Sequence, residues 1–155
     1  MPKNLVLYFS VYNSTKLVAH KIAAQTGADL VEIEPVTPYD SNRSHYNSLA
    51  RLAKQEHDEN MRPAIKNEID IDSYDNIFIG YPMWWYIAPT IINTFIEAYD
   101  FSGKKIILFA TSGGSGFGKA VDSLQPSAPN TKIIAGEIFN GSPNEKKLKA
   151  FAERY

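Results

Sequence analysis

Five short strand-like runs punctuate the chain, at residues 5–9, 28–33, 77–81, 106–110 and 133–139, those at 5–9, 77–81 and 106–110 continuously apolar, and each is followed by a stretch with apolar residues at helical spacing. Runs without polar alternation suit strands covered on both faces, as in a parallel sheet. The intervening stretches place Val18 with Ile22, Tyr46 with Leu49, Ala50 and Ala53, and Ile92 with Phe95, Ile96 and Tyr99 on single helical faces. Ala120 with Val121 and Leu124, then Leu148 with Phe151 and Ala152, repeat the pattern. Strand alternating with helix predicts an α/β fold: a three-layer, doubly wound sandwich around a five-stranded parallel sheet. With right-handed crossovers, the strand order 2-1-3-4-5 is a natural solution for a chain of this length.

Local punctuation supports these elements. Thr26-Gly27 reads as the C-terminal cap of the first helix, Pro89 as a first helical residue, and Ser142-Pro143-Asn144-Glu145 as a capping box before the last helix. Residues 56–75 carry a local acidic excess and are expected near the sheet end opposite the ligand loops.

At 155 residues the chain is expected to form one domain, residues 1–155. Cysteine is absent, which excludes disulfides, thiolate metal sites and thiol catalysis, so any redox chemistry must come from a bound cofactor. Sixteen Lys and Arg against 17 Asp and Glu argue against nucleic acid as the main partner. No apolar stretch approaches the roughly 20 residues of a membrane span, and the N-terminal residues show no leader pattern, so a cytoplasmic protein is expected. His20, His45 and His57 lack metal-ligand spacing and read as surface residues.

In an open parallel sheet, ligands bind beyond the carboxyl ends of the strands, near the point where strand order reverses. Three loops fall there. The first holds Ser10, Val11, Tyr12, Asn13, Ser14, Thr15 and Lys16 and opens a helix, so it either receives a phosphate on its backbone N–H groups or merely carries a helix cap at Asn13 or Ser14. The second, Pro82, Met83, Trp84, Trp85 and Tyr86, offers aromatic rings to stack on a planar ligand, with at least one Trp expected in the core. The third, Thr111, Ser112, Gly113, Gly114 and Ser115, leaves its backbone open to the polar edge of a heterocycle or is simply a flexible connection.

These loops together resemble those of the flavodoxins, over the whole chain. The resemblance rests on Ser10, Ser14, Thr15 and Lys16 after the first strand, on the run from Ile79 to Trp85, on the glycine-rich run from Thr111 to Gly118, and on the run from Asp58 to Ile65. It implies non-covalently bound FMN as cofactor, with the phosphate in the first loop and the isoalloxazine between the second and third, and no catalytic residue or metal. Ser10 and Thr15 would donate hydroxyls to the phosphate. The family loop has Thr where Tyr12 stands and Gly where Asn13 stands. Asn tolerates a left-handed backbone and preserves the turn, whereas Tyr12 removes a phosphate hydrogen bond, a loss of about 1.5–3 kcal/mol.

The resemblance implies an electron carrier, monomeric and meeting redox partner proteins transiently. The alternatives are an NAD(P)H-dependent flavin reductase of quinones or similar small acceptors, and a non-flavin protein-binding module. Near-neutral charge departs from the acidity of carrier flavodoxins, while the absence of an added nicotinamide-binding segment favours the carrier. A signalling receiver is disfavoured, because Ser10 and Pro82 stand where Mg²⁺-binding carboxylates would be needed.

Overall fold

A computed structural model describes residues 3–112, 116–140 and 143–155. Its strands are β1 (Asn4–Tyr8), β2 (Asp29–Glu32), β3 (Asn76–Pro82), β4 (Lys105–Thr111) and β5 (Lys132–Ile138). They form one sheet in the order β2-β1-β3-β4-β5, every pairing parallel, as the alternation of elements predicts. The helices are α1 (Ser14–Thr26), α2 (Tyr46–Asp58), α3 (Thr90–Ala98), α4 (Ala120–Leu124) and α5 (Glu145–Glu153).

Successive side chains of the central strands feed opposite cores. Leu7, Ile79 and Leu108 join a cluster with Ile92 and Phe95 of α3 and Leu124 of α4. Val6, Phe78 and Ile107 join a second cluster with Val18 and Ile22 of α1 and Phe151 of α5. At roughly 1.5–3 kcal/mol per fully buried Ile, Leu or Phe, this two-sided burial holds β1, β3 and β4 in place more firmly than the half-exposed edge strand β2. Gly80 is required at the centre, because the Phe109 ring on β4 occupies the space a Cβ would need.

The helix ends follow local chemistry. Gly27 at φ 69° closes α1, its N–H donating to the Ala23 carbonyl at 2.9 Å. Pro89 stands one residue outside α3, because its extended ψ of 141° keeps it out of the helix. Asn144 caps α5, its Oδ1 accepting the Lys147 N–H at 2.7 Å; Ser142, where the capping box is expected to begin, lies outside the described residues.

α2 departs from the simple sandwich. Leu49 and Ala53 are buried yet belong to neither core cluster; the helix instead flanks the carboxyl ends of the strands. The acidic stretch that follows therefore does not sit wholly at the opposite end. Glu56 is buried beside Tyr39, Arg62 donates to Glu97 of α3 at 2.9 Å, and only at Asp75, which accepts the Lys3 N–H at 2.8 Å, does the segment reach the start of β1. Among the described residues, no helix is long and apolar enough to cross a membrane.

Candidate functional site

A cleft of about 730 Å³ opens beyond the carboxyl ends of β1, β3 and β4, a size ordinary for a cofactor site. Its first wall is the loop after β1. Asn13 adopts φ 71°, ψ −5°, the left-handed conformation expected of it, and delivers the chain into α1 without a side-chain cap. The alternative of Asn13 as a conventional capping residue is thereby removed. The first-turn N–H groups, at the positive end of the helix dipole, are left for another acceptor.

The hydroxyls around that helix end are unevenly satisfied. Ser10 Oγ and Tyr12 Oη are buried without a partner among the described residues. Thr15, itself buried, places Oγ1 2.8 Å from Thr111 Oγ1. One hydroxyl of that pair donates to the other, so the second keeps its proton for a further acceptor. Unpaired buried polar groups cost about 1–3 kcal/mol each, and an anion at this helix end would satisfy the Ser10 hydroxyl.

The second wall is a strained turn. Trp84 and Ile87 exchange N–H···O bonds of 3.1 and 3.3 Å, and between them Trp85 and Tyr86 take φ values of 54° and 68°. Left-handed backbone at both central residues is the geometry of a type I′ turn, normally Asn-Gly. Holding two bulky residues there costs on the order of 1–3 kcal/mol each. The turn is tied down from α4's side: the Lys119 N–H donates to the Tyr86 carbonyl at 2.8 Å. Gly118, at φ 54°, approaches so closely that a Cβ would lie 2.6 Å from that oxygen.

The two tryptophans divide their work. Trp84, half-buried, packs against the core and meets Phe9 and Tyr39 edge-on, with centroids 5.6 and 5.4 Å apart, while still lining the cleft, so neither Trp is wholly core. Trp85 remains 43% exposed, its Nε1–H donating to the Ala50 carbonyl of α2 at 3.1 Å, and Tyr86 is 67% exposed. The exposed rings of this wall are thus Trp85 and Tyr86, with Pro82 and Met83 also lining the cleft. Met83 is fixed by its N–H, which donates to the Thr111 carbonyl at 2.8 Å.

Of the third loop, Thr111 and Ser112 line the cleft, and the Ser112 N–H donates to Asn140 Oδ1 at 2.7 Å. Gly113, Gly114 and Ser115 lie outside the described residues. Of the remaining expected residues, Ser10, Val11, Tyr12, Ser14 and Thr15 line the cleft, whereas the exposed Asn13 and Lys16 do not; Asn13 instead turns the chain into α1.

Sequence reasoning missed a fourth wall. Tyr46, Leu49, Ala50 and Ala53 of α2 close one side, and Arg43, from a 3₁₀ turn at Arg43–His45, enters beside the first loop. The helical spacing of the α2 residues announced a buried face but not its partner; for Arg43 no motif gave a signal. Among the described residues lining the cleft, Arg43 is the one that is charged, and none is a carboxylate.

Behind α2, Tyr39 Oη donates to the Glu56 carboxylate, lying 2.7 and 2.9 Å from its two oxygens. Burial raises the Glu56 carboxyl above its ordinary value, partly opposed by the Tyr39 bond. Burial first and the carboxylate second push the Tyr39 hydroxyl far upward, so it stays protonated and donating. His45 pairs with Asp40 at 2.7 Å and His57 with Asp58 at 3.2 Å, all exposed or half-exposed.

Comparison with known proteins bears on what this cleft is. A protein of Bacteroides eggerthii described as a flavoprotein is 39% identical, with a TM-score of 0.85, over 99% of this chain and 98% of that one. One of Bacteroides uniformis, described likewise, is 35% identical at a TM-score of 0.86 over 98% of both chains. A flavoprotein from Lactobacillus acidophilus, solved in complex with FMN, shares the fold at 23% identity and a TM-score of 0.75, over 98% of this chain and 99% of that one. No curated protein matches the chain. The family model for flavodoxin matches residues 3–155; with the 2-1-3-4-5 sheet and the cleft at its carboxyl edge, the chain belongs to the flavodoxin family.

Proposed function

We propose that this chain is an FMN-dependent electron carrier of the cytoplasm, a monomer that meets redox partner proteins transiently. The observation that carries the reading is the pairing, in one cleft, of an uncapped helix N-terminus beside an unpartnered Ser10 hydroxyl with an exposed aromatic turn. These features fit the two ends of FMN, a phosphate and a planar ring. Ser10, Ser14, Thr15 and the main-chain N–H groups of residues 11–16 would hold the phosphate, and residues 82–86 and 111–115 the ring. Bound there, FMN supplies one- and two-electron transfer.

The chain's own part is binding, positioning and exclusion of water. Met83, Trp84 and Trp85 present a surface with little polar solvation, which disfavours added negative charge beside it. An electron accepted at this site is therefore passed on more readily. Trp85 and Tyr86, exposed at the rim, form the edge that a partner would approach.

A second reading, an NAD(P)H-dependent reductase of quinones or similar small acceptors, is favoured by the formal net charge of −1, which offers little long-range steering toward a basic protein partner. Turnover separates the two. The carrier reading expects FMN-loaded protein to oxidise NAD(P)H only slowly in the presence of a quinone, and to pass electrons when a separate flavoprotein reductase is added. Rapid oxidation by the protein alone places the reductase first. Failure to bind any flavin leaves the protein-binding module as the surviving alternative.

A further inference from the structure

We propose that Arg43 is the charge partner of the flavin's phosphate and sets this chain's preference for phosphorylated flavin over the dephosphorylated form. The inference rests on the FMN reading above and assigns a residue that the resemblance to flavodoxins does not supply.

Four observations converge on Arg43. It is the one charged residue among the described residues that line the cleft. Its Nη2–H donates to the Tyr12 carbonyl at 3.1 Å, and its guanidinium carbon lies 4.9 Å from the centroid of the Tyr12 ring. The cation is therefore seated on the residue immediately before Asn13, the N-cap of α1. Among the described residues no carboxylate pairs with it: the nearby Asp40 is engaged by His45 at 2.7 Å and by the Asn42 N–H at 2.9 Å.

The chemistry follows from these contacts. A guanidinium has five N–H donors in a planar fork and stays charged throughout the accessible pH range. One N–H is spent on a neutral carbonyl, and stacking on Tyr12 restricts the side chain before any ligand arrives, so little ordering cost remains on binding. The 3₁₀ turn that carries Arg43 is itself fixed, with Asn42 Oδ1 accepting the Ser44 N–H at 3.0 Å. Position 12 thus trades functions: the family's threonine hydroxyl is absent, and the tyrosine ring in its place seats a cation at the same helix end. A phosphate carries nearly two negative charges at neutral pH, so a fork placed there distinguishes FMN from riboflavin, which shares the ring and lacks the anion.

The test is titration of the flavin-free 155-residue chain with FMN and with riboflavin, followed by flavin fluorescence, for wild type, Arg43→Met and Arg43→Lys at low and high salt. The expected result is an FMN Kd raised about tenfold or more in Arg43→Met, the scale of one charge-assisted hydrogen bond, with the riboflavin Kd changed less than about twofold. Arg43→Lys recovers part of the loss, and added salt weakens wild-type FMN binding more than that of riboflavin. Equal weakening for both flavins reduces Arg43 to a structural role and overturns the assignment, as does an Arg43→Met variant that binds FMN as tightly as wild type. Wild-type protein that binds neither flavin overturns the FMN reading itself and this inference with it.

Discussion

Glu56 shows what a single residue can reveal. The sequence groups it with an acidic stretch expected at the far end of the sheet, but the structure buries it at 6% exposure with Tyr39 as its hydrogen-bond donor. Because burial raises the folded carboxyl above its ordinary value of 4.5, its contribution to stability is present in full below that value. It is lost as pH rises through the folded value, since the native state holds the proton longer than the unfolded chain does. Glu56→Gln keeps an acceptor for Tyr39 without the charge. Thermal melts should show the variant matching wild type in acid and exceeding it at neutral pH; a difference that does not change with pH would refute this account. Other residues were legible directly: the tolerance of Asn for left-handed backbone is borne out at Asn13, φ 71°. Arg43 was not, because its meaning depends on a carbonyl 31 positions away in the chain.

The turn from Trp84 to Ile87 is the element in which stability and function oppose each other. Its central residues suit a ligand wall but not a type I′ backbone, and the bond from Lys119 together with the fit against Gly118 holds them in place. Tyr86→Gly removes the left-handed strain of a bulky residue, about 1–3 kcal/mol, offset by the entropy of a new glycine, roughly 0.5–1 kcal/mol. A gain on the order of 1 kcal/mol raises the melting temperature of a chain this size by about 2–4 °C, while FMN binding weakens through loss of the exposed ring. A lower melting temperature would show that Tyr86 is not strained. The aromatic cluster was visible in the sequence, but its conformation was not, because no turn residue announces it. α2 was legible in the same partial way: its spacing specified a buried face, and only the structure supplies the cleft as what that face covers.

Over the whole molecule, the alternation of apolar runs and helical faces was sufficient to read the sheet, since burial on both faces of β1, β3 and β4 leaves an apolar signature that few other arrangements share. The site was legible where it hangs on strand ends, at Ser10, Pro82 and Thr111, because the architecture itself sends those loops to one edge. It was hidden where it is built from the β2–α2 connection, whose course over the cleft follows from tertiary packing among Tyr39, Trp84 and Glu56. This assembled edge binds FMN. The most direct measurement is the visible spectrum of the purified protein after incubation with excess FMN and passage through a desalting column. Flavin absorbance eluting with the protein at about one equivalent per chain is the predicted result; a colourless protein fraction, with all the flavin retarded on the column, would contradict the claim.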